Sequence, residues 1–363
     1  MSRIIDFNNI KDSLGNSIFY TNDRATVALG DSLQLLKKIP DNSVSLILTD
    51  PPYHSTKKGN IINDKAFSTD DDFISWMELY AMQWKRVLRP NGSIFMFCSS
   101  CMESKLTNML CKHFNVLSHI VWTKPNEPGY DGWKGKMKKE ALRQWYPHSE
   151  RIIFMEAASE GNLNRSYFGN YLKRLRTECN LSGKDLTGII GAYGRVNHGG
   201  AVSNWESGRN IPSKEQYASI CEALKKSGIK EKLLEYEDVI RPFEVNANVE
   251  FTDVWTFPSV KAYKGKHPAE KPVSMLEHCI RATTFPGDIV LDCFAGSGST
   301  IVAALLTHRI GIGIEIDNSW CFSIKRSIEN AEDIGDVCDI QSIMKRLVSD
   351  KEPSLFDFET KAF

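Results

Sequence analysis

Two short segments of this chain carry residue types that can do chemistry on an amine and its electrophile. The first is Asp50-Pro51-Pro52-Tyr53, directly after the apolar run Val44-Ser45-Leu46-Ile47-Leu48. An exocyclic amine on a nucleobase is a poor nucleophile, because its lone pair is delocalised into the ring. Asp50 and the backbone carbonyl of Pro51 can both accept hydrogen bonds from such an NH₂ group, which favours a tetrahedral nitrogen whose lone pair faces an electrophile. Pro51 has no N–H to compete, and Pro52 stiffens the turn. Tyr53 offers an aromatic face on which a base can stack, worth about 1–3 kcal/mol in single-strand binders. The second segment is Asp288-Ile289-Val290-Leu291-Asp292-Cys293-Phe294-Ala295-Gly296-Ser297-Gly298-Ser299-Thr300, followed by the helical run Ile301 to Leu306. Strand, Gly-rich turn and helix form a nucleotide-approach geometry, in which Gly296 and Gly298 remove the Cβ atoms that would obstruct a ligand. Ile at position 301 breaks the dinucleotide pattern Gly-x-Gly-x-x-Gly, and no Lys follows the glycines as in a P-loop. NAD and ATP are therefore disfavoured. The next apolar run ends in Glu315-Ile316-Asp317, an acidic residue about twenty positions on, where it can accept hydrogen bonds from both ribose hydroxyls, so an adenosyl ligand without a pyrophosphate fits.

The elements that must position these residues are legible as an alternation. Short β-rich segments at Val44 to Thr49, Ser93 to Phe97, Leu117 to Thr123, Arg151 to Met155, Asp288 to Asp292 and Gly311 to Ile316 are separated by helical patterns. That alternation predicts an α/β fold with a mostly parallel sheet and helices on both faces. Ligands of such sheets bind at the carboxyl ends of the strands, where both motifs fall. Asp71 to Leu88 follows the 3.6-residue period through Phe73, Ile74, Met77, Tyr80, Ala81, Trp84 and Val87, and Pro90-Asn91-Gly92 is expected to stop it.

At 363 residues the chain is long enough for two domains, or for one large domain carrying an insertion. Lys+Arg and Asp+Glu balance at 45 each, so any attraction to nucleic acid must be local. Met1 to Asn16 lacks the apolar core of a signal peptide, and no apolar run approaches the roughly 20 residues of a membrane span, so a soluble cytoplasmic protein is expected. Nine cysteines, an odd number spread along the chain, argue for reduced thiols. Cys98 and Cys101 form a Cys-x-x-Cys pair with no second pair at zinc-ligand spacing, so no metal is assigned.

Together the two segments make the chain resemble an S-adenosylmethionine-dependent DNA amino-methyltransferase, of the class in which Asp-Pro-Pro-Tyr precedes the cofactor motif. His267-Pro268-Ala269-Glu270-Lys271-Pro272, before the helical Met275 to Ala282, is similar to the family's element that closes over the methionine part of the cofactor. Gly30-Asp31-Ser32, ahead of Leu33 to Ile39, lies where the family sets an Asp on the adenine amino group. Arg86-Val87-Leu88-Arg89-Pro90-Asn91-Gly92 is also family-like. The resemblance implies a Rossmann-like methyltransferase fold over about residues 25–155 and 250–330. It implies Asp50, Pro51, Pro52 and Tyr53 as catalytic residues. Asp31, Asp50, His267, Lys271, Pro272, Asp292, Phe294, Gly296, Gly298, Ser299, Thr300, Glu315 and Asp317 are then the cofactor residues for S-adenosyl-L-methionine. It further implies double-stranded DNA as substrate, a homodimer and a place in restriction-modification.

Between the two halves, residues 161–230 lose their strand signals, and eleven Lys/Arg face five Asp/Glu. Tyr171 to Cys179, Gly183 to Ile190, Gly200 to Glu206 and Ser213 to Lys225 read as four short helices. Residues Ala201 to Pro212 are similar to the recognition helix of phage-repressor-type helix-turn-helix domains, with Val202 and Trp205 as core. Gly191 to Gly199 departs from that pattern. The insertion falls where the family carries its target-recognition region, so Arg195, Ser203, Asn204 and Arg209 are expected to contact DNA. Lys124, Tyr130, Trp133 and Lys134, in the basic loop Lys124 to Lys139, are expected to join them. The expected division is 1–160 for the catalytic half, 161–240 for the inserted helical domain, 241–335 for the cofactor half and 336–363 for a C-terminal helix and tail. Within the tail, Ser354 to Phe358 resembles a sliding-clamp-binding peptide. The expected reaction is methylation of adenine N6 after base flipping, with direct in-line transfer. Asp at position 50 favours adenine, and cytosine N4 is the alternative within the same chemistry. Cytosine C5 is disfavoured, because none of the fourteen prolines precedes a Cys nucleophile. A helix-turn-helix regulator with a degenerate methyltransferase fold is an alternative of another class, and RNA methylation a third.

Overall fold

The computed structural model describes residues 2–54, 67–125, 143, 145, 148–158, 166–192, 200–244, 251–261 and 263–333. Its nine described strands are β1 (Ile18–Thr21), β2 (Ala25–Leu29), β3 (Val44–Thr49), β4 (Leu88–Cys98), β5 (Phe114–Thr123), β6 (Ser149–Ala157), β7 (Val254–Thr256), β8 (Ile289–Asp292) and β9 (Ile310–Glu315). They form one sheet in the order β1-β2-β9-β8-β3-β4-β6-β5-β7. The run β2-β9-β8-β3-β4 is parallel throughout, and so is β5-β7. β6 runs antiparallel between β4 and β5, and β1 antiparallel beside β2. The carboxyl ends of β3, β4, β5, β8 and β9 therefore share one edge, at which β6 begins.

Every residue of β3 is buried, as expected for a central strand covered on both faces. Alternation along the strands then sorts the core into two layers. Ile47, Ile94, Met96, Leu291 and Ile312 pack under α1 (Ser2–Leu14), α2 (Ser32–Leu36), α3 (Asp70–Val87) and α4 (Glu103–Leu110). Leu46, Leu48, Phe95, Phe97 and Val290 face the other way. Their cover, carried later in the chain, is α10 (Val273–Thr283), α11 (Ser299–Leu306) and α12 (Asn318–Asp333).

The inserted residues form α5 (Tyr167–Glu178), α6 (Gly183–Ile189), α7 (Gly200–Glu206), α8 (Lys214–Lys226) and α9 (Tyr236–Val239). They enclose a third core of their own, with Val202 and Trp205 completely buried beside Phe168, Leu172, Leu186, Ile220 and Leu224. This module is tied to the amino-terminal edge of the parallel strands. Arg3 and Arg89 both pair with Asp238, and Arg3 Nε also reaches Asp288 Oδ1 just before β8 at 2.9 Å. Asn91 Nδ2, near the start of β4, donates to the carbonyls of Glu237 and Ile240 at 3.1 and 3.0 Å. Arg241 Nη2 meets Glu156 Oε2 at 3.1 Å near the end of the antiparallel β6. Every one of these ties lies at the edge opposite the ends of β3, β8 and β9.

Two details differ from the sequence reading. α3 ends at Val87 and the chain enters β4 at once, so Pro90-Asn91-Gly92 lies inside that strand. The β3–β4 register jumps from Val44–Leu88 to Leu46–Ser93, so these three residues are accommodated as an irregularity, a setting in which a sheet tolerates Pro. The polar amino-terminal segment is a helix whose Phe7, Ile10 and Leu14 are buried along one stripe. Among the described residues no helix is long and apolar enough to cross a membrane. The segment Ser354 to Phe358 lies outside the described residues.

Close packing of α5 on α7 depends on Gly169, where a Cβ would lie 2.4 Å from the carbonyl oxygen of Glu206. Gly169→Ala is expected to push the two helices apart at a cost of about 1–3 kcal/mol. Chemical denaturation of the full chain should show this as loss of the module before, or together with, the α/β body.

Candidate active site

The turn after β3 delivers Asp50 into a buried charge cluster. Lys271 Nζ lies 2.6 Å from Asp50 Oδ2 and 3.3 Å from Glu150 Oε2. Tyr53 donates its hydroxyl to Glu150 Oε2 at 2.9 Å, and Lys124 Nζ meets Glu150 Oε1 at 2.6 Å. The Lys271 ammonium also sits over the rings of Tyr53 and Phe97, 5.5 and 5.1 Å from their centroids. Charges thus alternate from Lys124 to Glu150 to Lys271 to Asp50. Burial raises the Asp50 carboxyl above its ordinary value, with Lys271 opposing and Glu150 adding to the rise. For Glu150 burial also pushes upward, but Lys271 and Lys124 outweigh it and hold its carboxyl at about 2. Lys271 is raised despite its burial, because Asp50 and Glu150 both favour its charge. Asp50 Oδ1 is buried without a hydrogen-bond partner. A buried carboxylate oxygen left open is costly unless a donor arrives, so it marks where a ligand amine can dock.

The Gly-rich turn adjoins this cluster. Asp292, at the end of β8, accepts hydrogen bonds from Thr49 Oγ1 on Oδ1 at 2.8 Å and from Thr300 Oγ1 on Oδ2 at 2.7 Å. It thereby fastens the ends of β3 and β8 to the start of α11, and burial pushes its carboxyl up to about 6. Gly296 and Gly298 both have positive φ, +49° and +81°. A Cβ on Gly298 would lie 2.8 Å from Ile324, and one on Gly296 would lie 3.0 Å from the His267 ring. His267 stands edge-on to Trp320 at 4.6 Å and is held neutral, its pKa lowered to about 4 chiefly by burial and by the nearby Lys271. Glu315 accepts from the backbone N–H of Gly296 on Oε2 and from those of Ile316 and Asp317 on Oε1. That leaves Oε2 with capacity for one more donor.

Asp31, Asp50, Phe294, Gly296, Glu315 and Asp317 line one cleft. Asp31 also caps α2 through Gln34 N, and Asp317 accepts from Ser319. Ser299, Thr300 and Lys271 line the adjoining recess beside Asp50 and Asp292, and Pro272 caps α10. Pro51 is buried and Pro52 borders the cleft. The structure thus gathers the expected catalytic and cofactor residues at one edge, with Lys271 directly on Asp50.

The expected DNA residues do not gather there. Lys124 is drawn into the charge cluster, 15 % exposed and beside the Trp122 ring. Ser203 and Arg209 are exposed and Asn204 half-buried on the module at the opposite edge. Tyr130, Trp133, Lys134 and Arg195 lie outside the described residues. Glu150 is the participant that sequence reasoning missed. Its only local signal is a charged residue two positions into a strand, beside the run Arg151 to Met155.

The family profile described as DNA methylase matches residues 44–326. DNA adenine methyltransferase YhdJ of Escherichia coli (strain K12) is 28% identical over 305 residues, covering 83% of this chain and 81% of that protein. Type II methyltransferase M.PvuII of Proteus hauseri is 23% identical over 325 residues, covering 84% of this chain and 83% of its own. A solved structure of PvuII DNA methyltransferase (cytosine-N4-specific) superposes with a TM-score of 0.49 at 16% identity, covering 90% of this chain and 92% of the other.

Glu150 is ionised at a depressed pKa in the folded chain, about 2 against an ordinary 4.5. The stability it contributes is therefore present above about pH 4.5 and is lost as pH falls from there towards 2. Glu150→Gln is expected to lower stability near neutrality by on the order of 2 kcal/mol, with the gap to the unaltered chain closing over that acid window. Thermal midpoints taken across pH 2 to 7 check this, and a gap independent of pH would refute it.

Proposed function

Because the chain belongs to the N6/N4 family of DNA methylases, which use S-adenosyl-L-methionine, we propose that it methylates adenine N6 in double-stranded DNA, with the target base turned out of the helix to reach Asp50. The observation that carries this reading is the open, buried Asp50 Oδ1 just after β3, beside a cleft that Gly296, Glu315 and Asp317 also line. The cofactor fits on the same grounds. The positive-φ turn lets Gly296 and Gly298 approach His267 and Ile324 more closely than a Cβ would allow, Gly296 lines the cleft, and Glu315 Oε2 retains acceptor capacity toward a ribose hydroxyl.

When bound, S-adenosyl-L-methionine supplies a methyl group on a positively charged sulfur. The chain's own residues prepare the nucleophile. Asp50 Oδ1 accepts a hydrogen bond from the target amine and draws its nitrogen out of conjugation. Lys271, 2.6 Å from Asp50 Oδ2, keeps that carboxyl ionised against its burial, and Glu150 holds Lys271 from the other side. Raised by desolvation, Asp50 is a stronger acceptor than an exposed carboxylate and can take the proton that the amine releases after alkylation. Tyr53, its hydroxyl fixed on Glu150, presents its ring for stacking. His267 is neutral, so it adds no positive charge beside a cationic cofactor. Adenine is supported by Asp at position 50 and by the similarity to the adenine methyltransferase YhdJ.

Two measurements test the reading. Asp50→Ala is expected to lower methyl transfer by roughly 10²–10³-fold, the scale of losing one preorganised polar contact, while calorimetric binding of S-adenosyl-L-methionine persists. Full activity in that variant would refute the cradle. Mass spectrometry of nucleosides from DNA treated with the unaltered chain should find N6-methyladenine, and N4-methylcytosine in its place would reassign the target.

A further inference from the structure

The loop that delivers Lys271 to Asp50 carries more positive charge than that contact uses. Residues 257–272, between β7 and α10, hold Lys261, Lys264, Lys266 and Lys271 against a single acid, Glu270. Lys271 is paired with Asp50 and Glu150, and Lys266 Nζ donates to the carbonyl of His267 at 3.3 Å. Glu270 accepts the Tyr263 hydroxyl at 2.6 Å, within the loop. Lys261 and Lys264 are exposed and have no carboxylate partner among the described residues.

The loop is pinned, so these two ammonium groups are presented from a fixed backbone. At its start Trp122 Nε1 donates to the carbonyl of Phe257 at 2.8 Å. Midway the N–H of Lys266 donates to the carbonyl of Tyr263 at 3.2 Å, closing a turn with Lys264 and Gly265 at its centre. Gly265 takes a positive φ of +80°, the conformation that such a turn asks of its third residue. His267 then packs on Gly296 and lines both the cleft and the recess beside Asp50. Three residues separate Lys264 from His267, so their Cα atoms lie within about 11 Å of each other.

A base turned out of its helix stays bonded to its own sugar and phosphates. When it reaches Asp50, those phosphates lie a nucleotide's length away, at the rim of the same recess, where cations favour them. Lys271 and Lys124 are committed to Asp50 and Glu150, and Arg151 to Glu103 at 3.2 Å. The rim is also uneven in sign. Asp31 and Asp317, which follow β2 and β9, make that end of the cleft acidic, whereas the loop arrives from β7 at the other end of the sheet. Phosphates are repelled from the first and drawn to the second.

We propose that Lys261 and Lys264 hold the phosphates on either side of the extruded base, fixing the target strand against the loop while the base occupies the recess. The proposal rests on the reading of Asp50 as the amine cradle. Contacts of this kind give affinity and position without choosing sequence. Both lysines are positioning residues, and the chemical step is left to Asp50.

The test uses the full chain and a short duplex with one methylated site, located by sequencing DNA that the unaltered chain has modified. Lys261→Ala/Lys264→Ala should raise KM for this duplex several-fold, with kcat at saturating DNA and calorimetric binding of S-adenosyl-L-methionine unchanged. The slope of log affinity against log salt should become shallower by about one unit for each lysine removed. Lys261→Arg/Lys264→Arg should keep the original slope. Replacing the phosphates that flank the target base, one at a time, by uncharged methylphosphonates should weaken binding to the unaltered chain and have no further effect on the alanine variant. An unchanged salt slope in the alanine variant would overturn the proposal. Equal methylphosphonate losses in the two proteins would do the same, because the lysines would then meet other phosphates. Loss of cofactor binding in the alanine variant, or a shallower slope in the arginine variant, would assign these lysines to holding the loop and also overturn it. If the unaltered chain methylates no DNA, the reading of Asp50 fails; methylation with an unchanged slope removes the phosphate contacts alone.

Discussion

The contact on which the site depends is the ion pair between Lys271 and Asp50, 2.6 Å apart in a buried setting. A carboxylate and an ammonium can stay charged out of water only as partners whose remaining valences are also met. Lys271 comes from the loop before α10 and Asp50 from the turn after β3, and Glu150, which supplies Lys271 with its second carboxylate, opens the antiparallel strand β6. Three distant stretches of chain are thereby brought to one point, with Lys124 closing the series at the end of β5. Asp50 is left with one oxygen satisfied and one open. That asymmetry makes the carboxylate available for chemistry as well as for structure.

A second carboxylate shows the opposite arrangement. Asp292 is more deeply placed, and both its oxygens are taken, by Thr49, Thr300 and the backbone of Phe294. Its task is to clamp β3 to β8 so that the two motifs adjoin. The two carboxylates differ in their unmet hydrogen bonds, Asp50 keeping one oxygen without a partner and Asp292 none.

The proline turn after β3, the glycine turn and the acidic end of β9 were legible in the sequence because each is a local pattern: an apolar strand followed at once by residues that only a strand end tolerates. The central strands were legible for the same reason, being continuous apolar runs. The two-proline turn and Gly296 announce themselves. Glu150 does not, because its role arises from the pairing of β6 with β4 and β5, a register no local pattern contains. Lys124 was read as a loop cation for the same reason; its partner is 26 positions away, across a strand pair. The helices and core residues of the insertion were equally readable, with Val202 and Trp205 inside as expected. Its position was not, because the edge it occupies is decided by Arg3, Arg89 and Asp238, residues that are individually ordinary in the sequence.

The strand order carries a consequence for how the protein is made. β3 lies between β8 and β4, and β2 between β1 and β9, so two early strands each need a neighbour that leaves the ribosome only after some 240 or more further residues have been joined. Until then the nascent chain carries hydrogen-bonding edges with nothing beside them, a state prone to off-pathway association. The cleft between the turn after β3 and the glycine-rich turn after β8 comes into being only once these late strands have joined the sheet.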